Sequence, residues 1–269
     1  MSEFQQRHIG TKTLITGGSQ GLGFAIACRL ASEGAEMIVI SGRDRAKGEL
    51  AAASITALGA RCVFLPADVS KLDDCARLIA QAIDFADGLN SLVNSAAVTT
   101  RSSLLDTTRA QWAEHINTNA RGPFFLMQGF VKHLKEGGRP GSIVNILSVA
   151  SHCGRSWLAP YAASKAALAA LTKNVVHAHR CDRIRCNGIN VGWMETPGEA
   201  RIQVTYNEGG DSWLEAAERR LPMGQLAKPE QLADLVAYLL SPLSGIVTGS
   251  LIDYNQNIVG APCDSEGAV

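Results

Sequence analysis

The sequence predicts an α/β fold in which a parallel sheet carries helices on both faces. Three observations lead there: seven short aliphatic or β-branched runs, Ala/Leu-rich stretches of helical spacing between them, and a glycine-rich turn joining the first run to the first such stretch. Strand and helix alternate along the chain, and that alternation belongs to parallel, doubly wound sheets. In order, the runs are TLIT (13–16), MIVIS (37–41), CVFL (62–65), SLVN (91–94), SIVNIL (142–147), IRCNGINV (184–191) and SLIDY (250–254). All are strand-sized and mostly apolar, the pattern of strands buried on both faces. Leu22, Ile26 and Leu30 follow helical spacing, as do Leu72, Cys75, Leu78, Ile79 and Ile83, and later Leu168, Leu171 and Val175. Residues around 109–135 form a further helix, and NEGGDS (207–212) reads as a loop. No repeat, low-complexity tract or linker divides the 269 residues, so 1–269 is expected to be one domain, with a loop region at about 193–225.

Composition narrows the function. Lys and Arg number 25 against 25 Asp and Glu, and 46% of residues are hydrophobic. Such a chain is not disordered, and its balanced charge creates no field to gather nucleic acid or anionic lipid. A small-molecule substrate is the expected partner. The seven cysteines (Cys28, Cys62, Cys75, Cys153, Cys181, Cys186 and Cys263) show neither a CxxC pair nor zinc-finger spacing, which fits reduced thiols in a cytoplasmic protein. The polar start MSEFQQRHIG has no secretory character, and no apolar run is long enough to span a membrane. His177 and His179 lie two apart on a helix and diverge, so no metal is expected.

The turn TGGSQGLG (16–23) places Gly17, Gly21 and Gly23 where a strand runs into a helix. Glycine permits positive φ and close approach of a ligand, and the helix N-terminus presents free amides and a positive dipole end. A pyrophosphate suits that position.

A second constellation carries chemistry. YAASK sets Tyr161 and Lys165 four residues apart, on one helix face. A phenol with a pKa of about 10 is a poor base at neutral pH, and a nearby ammonium favours its anion. Lowering the pKa by two or three units takes about 3–4 kcal/mol, which a partly buried lysine beside a cationic cofactor ring is expected to supply. Ser148 closes the SIVNIL strand at the sheet's carboxyl edge, where its hydroxyl can donate to a substrate oxygen.

TGGSQGLG followed by Asn119, Ser148, Tyr161 and Lys165 resembles the short-chain dehydrogenase/reductase family over residues 10–258. The resemblance implies a three-layer Rossmann fold with a seven-stranded parallel sheet, an NAD or NADP hydride carrier, and a homodimer or homotetramer. It implies that Tyr161 is the general acid/base, that Lys165 binds the nicotinamide ribose and lowers the phenol pKa, that Ser148 polarises the substrate carbonyl, and that Asn119 holds a proton-relay water. It assigns to the cofactor Gly17, Ser19, Gln20, Gly21, Leu22 and Gly23 of the loop, together with Ser41, Arg43, Asn94 and Ala96. Asp68 and Val69 fall at the adenine, and Gly192, Met194 and Thr196 near the nicotinamide.

Three positions depart from the family pattern. NSAA (94–97) adds the Ala97 β-carbon beside the adenosine ribose. Val191 stands for the usual proline before Gly192, which is expected to loosen the loop over the nicotinamide. IDYNQ (252–256) replaces an Asp-Gly-Gly ending, through oligomer contacts or through substrate. At the cofactor-selecting position, ISGRDR offers Ser41 or Gly42 and no carboxylate. Arg43 suits a 2′-phosphate, so NADP is expected ahead of NAD, with Asp44 reaching a ribose hydroxyl as the alternative.

The expected reaction interconverts a secondary alcohol and a ketone. Substrate-pocket candidates are His152, Trp157, Leu158, Trp193, Met194, Tyr206 and Trp213; their aromatic faces suit a sugar, polyol or flat ketone, and Glu195 or Glu199 suits its hydroxyls. The rivals are a 3-oxoacyl carrier-protein reductase, which calls for a basic patch, and a dinucleotide-sensing regulator, which has no need of the intact tetrad. A dehydratase or epimerase calls for a longer C-terminal region.

Overall fold

A computed structural model describes residues 6–206 and 213–260. The strands are β1 (Lys12–Thr16), β2 (Met37–Gly42), β3 (Arg61–Pro66), β4 (Ser91–Asn94), β5 (Gly141–Ser148), β6 (Ile184–Val191) and β7 (Leu251–Tyr254). All seven pair in parallel, in the order β3-β2-β1-β4-β5-β6-β7. The chain winds outward from β1 through β2 to β3, then resumes on the other side with β4. That reversal leaves a crevice at the carboxyl ends of β1 and β4, where open α/β sheets bind ligands. NEGGDS and Cys263 lie outside the described residues.

Side chains alternate along each strand, so each apolar run feeds two cores. Ile15, Ile38 and Ile40 pack beneath α1 (Gly21–Ser32), α2 (Arg45–Thr56) and α9 (Pro229–Leu240), against Ile26, Ile55 and Val236. Leu14, Val39 and Leu92 face α3 (Leu72–Phe85), α5 (Gly122–Glu136) and α6 (Ala159–His179), against Leu78, Phe130 and Leu168. Among the described residues, no helix is long and apolar enough to cross a membrane.

The helix expected over 109–135 runs unbroken through α4 (Arg109–Ile116), a five-residue π turn at Asn117–Arg121, and α5. The inserted π turn places Asn119, fully buried, at its centre. Next to it, a β-carbon at position 122 would stand 2.2 Å from the Val69 carbonyl oxygen, so glycine lets the helix pass under the crevice. The connection from β6 to α9 carries α7 (Pro197–Tyr206) and α8 (Trp213–Glu218). Its two ends are tied together: Glu195 N–H donates to the Ala227 carbonyl at 2.9 Å, and Ala227 N–H to the Trp193 carbonyl at 3.0 Å. Lys228 pairs with Glu195 across that bridge.

Candidate active site

The glycine turn takes the conformation its composition permits. Gly17 and Gly21 have φ of +68° and +55°. A β-carbon at position 23 would stand 2.4 Å from the Gly17 carbonyl oxygen, so only glycine lets α1 start this close to β1. Gly18 N–H donates to the Ser41 carbonyl at 3.1 Å, joining the turn to the end of β2. The turn forms one side of a cleft of about 570 Å³ lined also by Ser19, Gln20, Leu22, Ser41, Arg43, Asp68, Val69, Ala96, Ala97, Met194 and Thr196. At its inner end stand Ser148, Tyr161, Lys165 and Gly192.

Most residues assigned to a cofactor thus meet in one cleft, but Asn94 does not. Its side-chain amide donates to Asn145 Oδ1 at 2.8 Å within the sheet, and the wall beyond β4 is made by Ser95, Ala96 and Ala97. A polar strand residue in a two-sided core turns to another polar strand residue. Asp44 also stays away from the cleft lining: its carboxylate caps α2, accepting from Lys47 N–H at 3.1 Å. Arg43 is exposed on the cleft rim, and Gly42 faces the loop, where a β-carbon would stand 3.1 Å from Ser19 Oγ. The cleft tests well for a dinucleotide on this chain's own features: a β-carbon-free cradle at a helix N-terminus, and a buried Ser41 Oγ with no hydrogen-bond partner beside it.

The four catalytic candidates come from three elements. Ser148 ends β5, paired with Val191 at the end of β6. Tyr161 and Lys165 lie in the first turns of α6. Lys165 is only 2% exposed; its Nζ donates to the Ile146 carbonyl at 2.7 Å and lies 5.9 Å from the Tyr161 ring centre. Asn119 is committed on all sides. Its Nδ2 donates to the Val98 carbonyl at 2.9 Å and to Ser164 Oγ at 3.0 Å, while Oδ1 accepts from Val98 N–H. Ser164 Oγ in turn donates to the Tyr161 carbonyl, so the π turn braces the first turn of α6.

Burial holds Tyr161 above its usual value and the Glu199 charge adds to that, while the Ser148 hydroxyl acts in the opposite direction. Burial lowers Lys165 to about 8. With its ammonium turned to the Ile146 carbonyl, the lysine does not offset the cost of a phenolate, which is left to a cationic ring in the cleft. His115, on α4, presents its ring edge to Tyr161 at 6.4 Å. Nothing in the local sequence marked it; only the packing of α4 on α6 brings it there.

Beyond Ser148 and Tyr161 a second cavity of about 870 Å³ opens, lined by Arg101, Trp157, Leu158, Trp193, Glu199, Gln203, Asp253, Tyr254, Asn255 and Gln256 among others. Trp157, Leu158 and Trp193 are where the sequence placed them. His152 is not in the lining; its Nε2 lies 2.7 Å from Asp253 Oδ1, behind the wall. Met194 lines the dinucleotide cleft instead, Tyr206 lies against the Arg101 guanidinium, and Trp213 packs on Trp193. Glu195 pairs with Lys228 away from both cavities, whereas Glu199 lines both. Of the IDYNQ departure, Asp253, Tyr254, Asn255 and Gln256 line this second cavity. Val191 stands in register with Ser148, and the next N–H, of Gly192, donates to the Tyr254 carbonyl at 3.0 Å. His177 and His179 make separate contacts, to Arg180 and Asp182.

A family model described as enoyl-(acyl carrier protein) reductase matches residues 17–256. The chain is 31% identical to L-rhamnose 1-dehydrogenase (NAD(P)(+)) of Azotobacter vinelandii, over 90% of this chain and 94% of that one. It is 30% identical to gluconate 5-dehydrogenase of Gluconobacter oxydans, over 90% and 92%. Among solved structures, a variant of actinorhodin polyketide ketoreductase with NADPH matches at a TM-score of 0.86 and 26% identity, covering 92% of this chain and 97% of that one.

Proposed function

The chain belongs to the short-chain dehydrogenase/reductase family, and from that premise we propose that it interconverts a secondary alcohol and a ketone, with Tyr161 moving the proton. One observation carries the assignment: Ser148 and Tyr161 stand at the junction of the dinucleotide cleft and the second cavity, lining both. A group bound in one thereby meets a molecule bound in the other at these two hydroxyls.

When bound, NADP or NAD supplies or takes up the hydride. The chain's own residues do the rest. The glycine turn and the α1 N-terminus hold the pyrophosphate, with Ser19, Gln20 and Leu22 around it, and Asp68 and Val69 hold the adenine. Gly192, Met194 and Thr196 lie along the nicotinamide. In reduction, Ser148 donates to the carbonyl oxygen and Tyr161 delivers its proton to the same oxygen; in oxidation the phenolate takes that proton back. Lys165 holds the ribose beside Tyr161, and Asn119 fixes the main chain of α6 through Ser164. NADP is preferred because Arg43 is the charged side chain on the rim beside Ser41, while Asp44 is occupied as a helix cap.

The cavity mixes aliphatic Ile202, Leu221, Met223 and Leu226 with Trp157 and Trp193 and with Asp253, Asn255 and Gln256; its polar members support a small hydroxylated substrate such as a sugar or polyol. The whole sequence acts as one unit, with the segment at about 193–225 as its substrate loop. We place it in the cytoplasm as a homodimer or homotetramer, a placement supported by six unpaired cysteines among the described residues and by the exposed aromatic face of α4 and α5.

The test is Tyr161→Phe, assayed by absorbance of the reduced nicotinamide over a panel of polyols, sugars and ketones. Turnover is expected to fall by at least about 10³-fold while dinucleotide affinity changes little. Turnover retained by that variant refutes the assignment.

A further inference from the structure

We propose that Glu199 is a specificity residue that accepts a hydrogen bond from a hydroxyl on the carbon beside the reacting one, so that the site selects vicinal diols and α-hydroxyketones over simple alcohols and ketones. The inference rests on the reading of Ser148 and Tyr161 as the reacting centre.

Glu199 sits in the first turn of α7, where its N–H donates to Thr196 Oγ1 at 3.0 Å. Its carboxylate is held from one side only. Oε1 accepts from the Trp193 indole N–H at 2.8 Å and from the Gln203 side-chain amide. Gln203 is buried, so this clamp is fixed by packing as well as by hydrogen bonds. No described residue donates to Oε2. The residue lines both cavities, a place shared with Ser148, Tyr161 and Trp193.

An oriented carboxylate with one spare oxygen is an acceptor and nothing else. A hydroxyl donor satisfies it. An ether or carbonyl oxygen at the same place sets lone pair against lone pair, and an alkyl group leaves the oxygen desolvated and unpaired. The reacting oxygen is already claimed by the donors Ser148 and Tyr161, so the hydroxyl that Glu199 receives belongs to a neighbouring carbon. That neighbouring hydroxyl is unchanged by the reaction, and the preference applies in both directions. The Glu199 charge adds to burial in holding Tyr161 above its usual pKa, as its place beside the phenol on both cavities requires.

The probes are matched pairs: cis-cyclohexane-1,2-diol against cyclohexanol for oxidation, and 2-hydroxycyclohexanone against cyclohexanone for reduction. In the wild type kcat/KM is expected to favour the hydroxylated member by at least about 10-fold. Glu199→Gln keeps the shape and Glu199→Leu removes the acceptor; both are expected to cut that ratio, to near unity for Leu. Removing the charge also moves the phenol limb of the pH–rate profile to lower pH. A structural role alone leaves the ratio untouched. Equal wild-type activity on both members overturns the proposal, as does an equal fall on both in the variants. So does a weaker dinucleotide affinity with the ratio preserved, which places Glu199 on the cofactor. Binding is followed separately by tryptophan fluorescence with NADP present. Glu199-dependent binding of the diol without turnover upholds the proposal and refutes the reading of Tyr161, whereas absent or equal binding of both members overturns the proposal.

Discussion

Lys165 shows how a single residue can be costly to the fold and needed by the site. Its ammonium is almost fully buried with one carbonyl partner, and burial lowers its pKa from 10.5 to about 8. Unfolded chains therefore bind more protons than folded ones between those pH values, and the cost is fully present below about pH 8. That shift corresponds to about 3 kcal/mol, less about 1 kcal/mol for the hydrogen bond to Ile146. Lys165→Met is accordingly expected to raise Tm at pH 7 while abolishing turnover, with the gain shrinking as pH rises from about 8 to 10.5. Thermal unfolding followed across pH checks this; a lower Tm at pH 7 would mean that the ammonium stabilises the fold. YAASK made the helix-face pairing of Tyr161 and Lys165 legible in sequence. Where the lysine points was not, because Ile146 belongs to a strand that packing alone brings beneath it.

Elements decide the chemistry at the end of β2. Ser41 is the last β2 residue paired with β1, opposite Thr16, Gly42 ends β2 against the loop, and Asp44 starts α2 as its N-cap. A carboxylate that accepts from a helix N–H is held away from a ribose hydroxyl, so Arg43 is the charge left on the rim. Arg43→Ala is expected to raise KM for NADP by about 10-fold or more and leave that for NAD nearly unchanged, since only the 2′-phosphate contact is lost. Equal effects on the two cofactors remove Arg43 from phosphate recognition. The seven strands were legible from their apolar runs to within a residue or two at each end, because two-sided burial demands continuous hydrophobicity. The π turn between α4 and α5 was not. A π turn adds one residue per turn without altering composition, and only the bonds of Asn119 to Val98 and Ser164 explain why it is there.

At the scale of the whole molecule, several large apolar side chains stay exposed, among them a group on α4, α5 and the loop before them. Trp112 on α4 and Phe124 and Phe125 on α5 are 49%, 38% and 36% exposed, and Leu104 and Leu105 of the preceding loop are more exposed still. The proposed homo-oligomer covers this surface. Light scattering after gel filtration is expected to show a dimer or tetramer, and Phe125→Glu to shift it toward the monomer; a monomeric wild type would refute the assembly. The sequence by itself determined the strands, the glycine turn and the Ser148, Tyr161 and Lys165 set, since hydrophobic period, glycine's conformational range and i,i+4 spacing are local properties of the chain. Tertiary structure alone decided which candidates line a cavity: it turned Asn94 into the sheet, set His152 against Asp253, and gave Glu199 a place on both cavities. The reason is physical. A side chain's partners come from strands and loops far away in sequence, and no local pattern encodes which of them will satisfy its hydrogen bonds.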